Sequence, residues 1–206
     1  MGYKLCPKCE LNYIKEDEEQ CEVCATGGKN NSEKVFVKPD IKHKGCNIFM
    51  VFQGKEYHKE LINGYIRATY QDARGGSPSH WAMLEVVKPG DIIFHGLLQG
   101  ISAISVATSE CFSDKQKDDN GEFRRVNCTP FLVKNSIITS EVLEEIKRTC
   151  LRYKYQPFDK NGDGRQGYLF DLNDELAGIF SRALVERNPD LITTIPELKK
   201  NNFILT

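Results

Sequence analysis

The amino-acid sequence predicts an α+β protein, a small β-barrel flanked by helices and preceded by a cysteine-rich module. Three observations lead to this prediction. Several apolar or alternating segments have the length of strands, two later segments have helical periodicity, and strands do not alternate with helices as in a parallel α/β sheet. The 206 residues are enough for one main core and one small module.

Composition and charge exclude several classes of protein. Hydrophobic residues make up 40% of the chain and charged residues 28%, as in ordinary globular proteins, so wholesale disorder is excluded. No apolar run approaches the roughly 18 residues of a membrane helix, and the N-terminus lacks the apolar core of a secretory signal. We therefore expect a cytoplasmic protein with no membrane partner. Because the net charge is −1, nucleic-acid binding would require a local basic patch or a specific pocket.

Four of the eight cysteines lie near the N-terminus as two Cys-x-x-Cys pairs. Each pair can present two thiolates to one metal ion, and four sulfurs at about 2.3 Å complete a tetrahedral structural zinc site. A disulfide framework is the alternative, which the lack of an export signal disfavours. We therefore predict a zinc ribbon at residues 1–28, with structural zinc bound by Cys6, Cys9, Cys21 and Cys24.

The remaining chain divides into a linker, a main domain and an extension. Residues 29–45 are predicted to be the linker, because Asn30, Asn31 and Ser32 break any periodicity and Pro39 interrupts the one short apolar stretch. The main domain is predicted at residues 46–190, and a C-terminal extension at residues 191–206.

The main domain begins with alternating strand and helix signals. Residues 47–52 form a continuous apolar run, which predicts a strand buried on both faces. Residues 56–63 have a helical pattern with Tyr57, Leu61 and Ile62 on one side, and residues 65–70 alternate like a half-exposed strand. A loop at 72–79 leads to Trp81. A turn at 88–91 precedes strands at 92–95 and 101–107, which are predicted to pair as a hairpin, and a further strand follows at 125–133.

Two helices are predicted in the last third of the chain. Ser140 is a suitable N-cap for a helix over 141–153, and Asn173 for a helix that continues to residue 187. Between them, residues 159–164 match the first half of an EF-hand calcium loop. Phe170 occupies the position of the bidentate glutamate, so we expect a polar turn there and no calcium site.

The segment from Trp81 through the turn and strand at 87–95, followed by the strand at 101–107, resembles the PUA-like superfamily, and within it the EVE and YTH-like branch. In that branch a buried first strand, a tryptophan-containing segment, a Lys-Pro-Gly-Asp turn and two strands recur in this order. Residues 167–170, which lead into a helix, also resemble the late part of bacterial EVE-like domains fused to modification-dependent nucleases. The resemblance covers residues 46–187. It implies a twisted β-barrel whose pocket takes one modified base, such as a methylated or hydroxymethylated cytosine or N6-methyladenine.

A pocket of this kind must hold a flipped base between aromatic or apolar side chains and hydrogen-bond its polar edge. Stacking on an aromatic ring contributes about 1–3 kcal/mol per base. With the resemblance, this requirement predicts Trp81 and Tyr70 as stacking walls and Gln53 or Ser105 as edge readers; for Trp81 and Phe52 a plain core position is the alternative. The predicted pocket residues are Phe52, Gln53, Tyr65, Tyr70, His80, Trp81, His95 and Ser105.

Basic residues suited to phosphate contacts occur in local groups. Arg67 stands where many EVE-type sequences carry an aromatic residue, and it could stack or contact phosphate. A solvated helix face is the alternative for the later group, because Glu144 and Glu145 lie beside it. The predicted phosphate contacts are Arg67, Arg74, Arg124, Arg125, Lys147 and Arg148.

The sequence therefore predicts a non-catalytic reader of a modified nucleobase, with modified cytosine in DNA as the first choice, serving as the recognition part of a modification-dependent restriction or defence system. No metal-ligand histidine pairing, nucleophile elbow or phosphate loop is visible in the sequence. Any nuclease activity is expected from a separate protein or from a module outside this sequence. Two alternatives stay open: an RNA reader of the N6-methyladenine type, and a protein-interaction adaptor that acts through the zinc ribbon.

Overall fold

A computed structural model of the chain describes residues 3–5, 7, 13–15, 17–20, 25, 46–72, 75–97, 100–115, 121–149 and 156–200. Two short strands near the N-terminus, β1 (Tyr3–Leu5) and β2 (Tyr13–Lys15), pair antiparallel in a sheet of their own. Several sequence predictions lie outside the described residues: the linker at 29–45, the phosphate contact Arg74, and the zinc ligands Cys6, Cys9, Cys21 and Cys24.

The main sheet is built from strands distributed over the whole main domain. They are β3 (Ile48–Phe52), β4 (Tyr65–Thr69), β5 (Ile92–Leu97), β6 (Gly100–Ala107), β7 (Phe112–Asp114), β8 (Phe123–Ile138) and β9 (Leu169–Asp171). Six of them follow the order β4–β8–β6–β5–β3–β9, and β7 pairs with β8. The β3–β5 pair is parallel and the other pairs are antiparallel. The sheet curls into a half-barrel that ends at β4 and β9, where the sequence had suggested a barrel.

Helices and turns connect and cover these strands. They are α1 (Tyr57–Ile62), α2 (Ser79–Ala82), α3 (Leu143–Thr149), α4 (Asp174–Arg187), α5 (Leu191–Thr194) and α6 (Glu197–Lys200), with 3₁₀ turns at Met83–Val86 and Thr139–Val142. The prediction of an α+β protein is confirmed. Asn173 caps α4 as predicted, since its side-chain oxygen accepts the Leu176 N–H at 2.8 Å.

Three elements differ from the sequence prediction. Strand β8 is longer than the predicted 125–133, because its later residues continue to pair with β6 as far as Ile138. Trp81 lies inside α2 and not at the end of a loop. The turn before α3 is closed by Glu141, whose Oε2 accepts the Ile138 N–H at 3.0 Å, and not by a cap at Ser140.

The two faces of the sheet pack against different layers. On one face Phe94 and Ile104 lie in a cluster with Phe180 of α4. Leu191, Ile195 and Leu198 belong to the same cluster, so the chain beyond the predicted boundary at 190 packs on the core through the buried apolar side chains of this segment. On the other face a second cluster contains Phe49, Ile93, Ile66, Val126 and Trp81.

Candidate functional site

Three predicted pocket residues meet inside the curl of the sheet: Gln53, His95 and Ser105. The pairing registers explain this, since Val51 lies opposite His95 and Ile93 lies opposite Ser105, and side chains two positions apart on a strand share a face. His95 Nδ1 lies 2.6 Å from Gln53 Oε1, and His95 Nε2 lies 2.7 Å from Ser105 Oγ. All three side chains are buried. The strands thus place one continuous hydrogen-bonded chain on the inner face of the sheet.

Two further residues, which the sequence analysis missed, extend this chain. Gln53 Nε2 donates to Oε2 of Glu60 on α1, and the hydroxyl of Tyr168 donates to the same oxygen at 2.8 Å. The Tyr168 oxygen in turn accepts the backbone N–H of Arg67 at 2.9 Å. Five side chains from five segments of the chain therefore form one set, the buried polar chain: Gln53, Glu60, His95, Ser105 and Tyr168.

A signal for Glu60 was present in the helical pattern of α1. Tyr57, Glu60 and Leu61 are the buried residues of this helix, at the spacing of one helical face, whereas Ile62 is 81% exposed. The prediction that Ile62 lies on the apolar side of the helix, based on its hydrophobicity, is wrong. The buried face contains Glu60, and a charged residue on the buried face of a short helix is the feature that could have revealed the site.

Burial fixes the charge state of His95 and the direction of the hydrogen bonds. Desolvation lowers the pKa of His95 to about 3, so its ring is neutral near pH 7 and carries a single N–H. Gln53 Oε1 can only accept, so this N–H is on Nδ1, and Nε2 accepts the Ser105 hydroxyl. Every donor in the buried polar chain therefore points along the chain towards Glu60.

The carboxyl group of Glu60 is the end point of these hydrogen bonds. The pKa of Glu60 is raised from 4.5 to about 7, chiefly by burial and to a small extent by the charge of Glu56. The hydrogen bonds from Gln53 and Tyr168 and the charge of Arg67 lower it, but they offset only part of the cost of burial. Near pH 7 the side chain is therefore divided between its ionised and protonated forms.

The order of groups in the buried polar chain also resembles a nucleophile, a base and a group that orients the base. Ser105, however, is 1% exposed and lies in the middle of β6, between β5 and β8. A ligand, whether a substrate carbonyl or a base, could meet a serine at such a position only if the packing around it opened. The arrangement described here is a set of hydrogen bonds between the protein's own side chains.

His80 is connected to the same region through the backbone of Tyr168. Its Nδ1 accepts the Tyr168 N–H at 3.0 Å, so the neutral ring carries its proton on Nε2. Burial lowers the pKa of His80 to about 4. Although the residue keeps partial exposure, its Nε2 is buried and has no hydrogen-bond partner among the described residues. His80 therefore holds an unused donor near the buried polar chain.

The predicted aromatic pocket residues are distributed over several environments. Phe52 points to the opposite face of the sheet, where it packs edge-on against Phe158 and Phe170 at centroid distances of 6.2 and 5.7 Å. Trp81 is buried in the second cluster, which is the core position that the sequence analysis named as the alternative. A base could stack on Trp81 only if this packing separated. Tyr65 and Tyr70 each lie under an arginine, at 4.2 Å from the guanidinium of Arg125 and Arg124 respectively. These residues do not form one cage in the structure.

Three predicted phosphate contacts are already engaged within the protein. Arg124 is buried, with its Nε 2.7 Å from Glu85 Oε1 and its Nη1 on the carbonyls of residues 69 and 70. Arg125 donates to Asp114 at 2.8 Å and to Asn127 at 3.0 Å. The guanidinium of Arg67 lies 4.3 Å from the centre of the Phe123 ring. A phosphate at any of these positions would have to replace protein partners.

The other two described candidates are on α3. Lys147 bonds to Glu144 at 3.0 Å, and Arg148 is exposed. Among the predicted phosphate contacts that the structure describes, Arg148 is therefore the most exposed arginine.

Within the described residues, no group of three or more histidine, cysteine or acidic side chains could hold a metal ion. At the EF-hand-like segment, Asp159 Oδ1 accepts the N–H groups of Asn161 and Asp163 at 2.8 and 3.0 Å, which makes the expected polar turn. None of the described helices has both the length and the apolar character needed to span a membrane.

Comparisons with known proteins do not assign the chain to a family. No protein-family model matches it, and no curated protein matches it at a significant level. The functional argument therefore depends on the sequence motif and on the geometry described above.

Proposed function

We propose that this protein is a non-catalytic reader of a modified nucleobase, with modified cytosine in DNA as the preferred ligand. The observation that carries the proposal is the buried polar chain, which brings Gln53, His95 and Ser105 together with Glu60. The base-reader hypothesis requires polar edge readers at the end of the first strand and on the hairpin. The convergence of Gln53, His95 and Ser105 on one face of the sheet supports it.

The energetics of burial support a functional role for these groups. A buried polar group that is paired contributes only about 0.5–1.5 kcal/mol net, whereas one left unpaired costs about 1–3 kcal/mol. Five polar side chains in the interior therefore add little stability over apolar residues of the same size. Perturbed ionisable groups of this kind cluster at functional sites. A flipped base, with donors and acceptors along one edge, is a ligand that such a set can recognise.

The fold is the second support. A buried strand, a Trp-containing segment, a turn at residues 88–91 and the β5–β6 hairpin occur in the order that the PUA-like, EVE-type resemblance requires. They belong to a curled sheet with helices against it. We therefore propose that the domain that begins at residue 46 is PUA-like, and that it includes the helices after residue 190, which pack on the same core. We place it in a modification-dependent defence system, in which a separate nuclease partner cuts the DNA.

Fluorescence polarisation tests the proposed function directly. Matched oligonucleotides would be unmodified DNA, DNA with 5-methylcytosine, 5-hydroxymethylcytosine or N6-methyladenine, and N6-methyladenine RNA, all at one fixed salt concentration. We expect at least tenfold preference, about 1.4 kcal/mol, for one modified cytosine. Gln53→Ala should remove this preference, and Gln71→Ala, at an exposed position, should keep it. Equal binding to all probes, or none, would refute the reader, and a preference for the RNA probe would favour the RNA alternative.

The N-terminal segment has a separate proposal, a structural zinc ribbon at residues 1–28. Strands β1 and β2 stand on either side of the first Cys-x-x-Cys pair, and four thiolates are a donor set that suits tetrahedral zinc. The Glu18 side chain accepts a hydrogen bond from Gln166 of the main domain at 3.3 Å. We expect one zinc per chain by elemental mass spectrometry, reduced in Cys9→Ser and unchanged in Cys111→Ser. Zinc content that is equally low in wild type and Cys9→Ser would contradict the ribbon.

A further inference from the structure

The two oxygens of the Glu60 carboxyl group have different surroundings. Gln53 and Tyr168 both donate to Oε2, and no described residue donates a hydrogen bond to Oε1. Glu60 is 2% exposed, yet Oε1 is not one of the fully buried side-chain atoms that lack a hydrogen-bond partner, so this oxygen keeps a contact with solvent. An acceptor that solvent reaches at the end of a buried hydrogen-bonded chain is a place where a ligand donor can replace water.

The surroundings of Glu60 support its ionised form when such a donor is present. Gln53 and Tyr168 already donate to it, and the charge of Arg67 on β4 acts in the same direction. Glu56 on the same helix acts in the opposite direction. Cys128 of β8 also faces Glu60, but burial raises the pKa of this thiol to about 12, so it stays uncharged. The phenol of Tyr168 is likewise held neutral, because burial raises its pKa well above 10.

We propose that Oε1 of Glu60 is the specificity-determining acceptor of the base site, and that it takes the exocyclic amino group of a base. This inference rests on the proposed function and names its substrate class: amino-bearing bases, with cytosine first. Glutamate accepting from the N4 amino group of cytosine is a geometrically favourable pairing. Thymine presents an oxygen at the same position of the ring, which would face the carboxylate with no hydrogen between them. Such a site rejects the analogue that lacks the donor, because the bound base would shield the carboxylate oxygen from water and leave it unpaired.

The inference predicts a specific dependence of affinity on pH. A donor on Oε1 needs the ionised carboxyl group, whose pKa lies near 7 in the free protein. Below that pH the ligand must displace a proton, so affinity falls as pH falls; above it, affinity is constant. Between pH 8 and pH 6 we expect binding of a 5-methylcytosine oligonucleotide to weaken about tenfold. A ligand acceptor on Oε1 would give the opposite slope.

The variant Glu60→Gln separates recognition from packing. Its amide oxygen can accept from Gln53 and Tyr168 as Oε2 does, while its NH₂ group stands in for the protonated Oε1. The variant thus imitates the low-pH form at every pH. We expect its affinity for the 5-methylcytosine probe to be reduced at least tenfold at pH 8 and to be independent of pH. Glu145→Gln, at an exposed position on α3, is the matched control and should keep the wild-type profile.

The experiment is a polarisation titration of wild type, Glu60→Gln and Glu145→Gln at pH 6, 7 and 8, with 5-methylcytosine and thymine at the same position of one oligonucleotide. Thermal melts verify that the variants are folded, and the wild-type pH profile needs no variant at all. Preference for 5-methylcytosine with the stated pH slope supports the inference. Selective binding of another modified probe, with no pH slope and no effect of Glu60→Gln, would overturn it and leave the reader intact. Lack of binding to every probe would overturn both.

Discussion

Strand β5 places two neighbouring residues in opposite environments. Phe94 is 0% exposed and packs against Phe180 of α4, with ring centroids 6.4 Å apart. His95 is 1% exposed on the other face, where both ring nitrogens are hydrogen-bonded. Equal burial therefore accompanies quite different chemistry on the two faces of one strand.

The two faces of β5 differ in how their buried side chains contribute to stability. On the Phe94 face, apolar burial contributes about 25 cal/mol per Å² and needs no particular partner geometry. On the His95 face the second apolar cluster contributes in the same way, but at the buried polar chain stability is at best retained, because each hydrogen bond replaces one that water would have made. A protein selected only for stability would have apolar residues at these positions too. The buried polar chain, the polar face of the comparison, is therefore where function is to be sought.

The largest expected effect is on the apolar face. Phe180→Ala removes a fully buried ring that contacts Phe94 and Phe158, and we expect a loss of about 3–5 kcal/mol in the free energy of unfolding. Urea denaturation measures it, with Ile62→Ala at an exposed position as the control that should change little. A loss below about 1 kcal/mol would mean that this face is not the main source of stability.

A smaller effect, with a distinctive pH dependence, is expected on the polar face. The pKa of Glu60 is about 7 in the folded protein and 4.5 when unperturbed, so the folded state binds this proton more tightly. The stability of wild type therefore falls as pH rises from 4.5 to 7, by up to about 3 kcal/mol, and stays lower above. Glu60→Gln cannot lose a proton. Its stability relative to wild type should increase over that range.

Urea denaturation at pH 4.5, 6 and 8 measures this difference. Glu145→Gln, at an exposed position on α3, is the control and should follow the wild-type curve. If Glu60→Gln and wild type differed by the same amount at all three pH values, the carboxyl group would not titrate as burial indicates. The assignment of Glu60 as the end point of the buried polar chain would then be wrong.

Strand patterns in the sequence contained enough information for part of the site. His95 and Ser105 are polar residues within apolar strands, and the turn at 88–91 predicts that those strands pair; Gln53 directly follows the first strand. Their convergence on one face follows from the two-residue period of strands. Periodicity could not place Tyr168, which bonds to Glu60 across 108 positions of the sequence. Contacts of this range depend on the tertiary fold.

Residue type alone also could not separate functional from structural positions. Trp81 satisfies the requirement for a stacking wall and that for a core residue equally well, and the structure puts it in the core. Arg124 belongs to a basic pair in the sequence, yet its partner Glu85 lies 39 positions away and becomes adjacent only through folding. The mixed fold was easier to predict, because each strand and helix depends on neighbouring residues.

The third expected effect tests whether the polar face is recognition machinery or a nucleophilic site. Ser105→Ala leaves His95 Nε2 without its donor, and we expect a loss of about 1–3 kcal/mol in the free energy of unfolding. Because Ser105 is buried, a fluorophosphonate probe should not label the wild-type protein. Labelling that disappears in Ser105→Ala would show an accessible nucleophile and would replace the reader hypothesis by an enzyme.

The smallest effect on stability is expected outside both faces, on the exposed cation Arg148. Arg148→Ala removes no described contact, so unfolding should be unchanged. Arg124→Ala removes a buried guanidinium and leaves the carbonyls of residues 69 and 70 without their donor, which should cost about 1–3 kcal/mol. If Arg148 contacts a phosphate, its removal weakens all oligonucleotides alike and lowers the slope of log affinity against log salt by about 1. An unchanged slope would show that Arg148 on α3 faces solvent and makes no phosphate contact. Under the proposed function, specificity for the modified base should survive in either case, because phosphate contacts position a strand without reading its sequence.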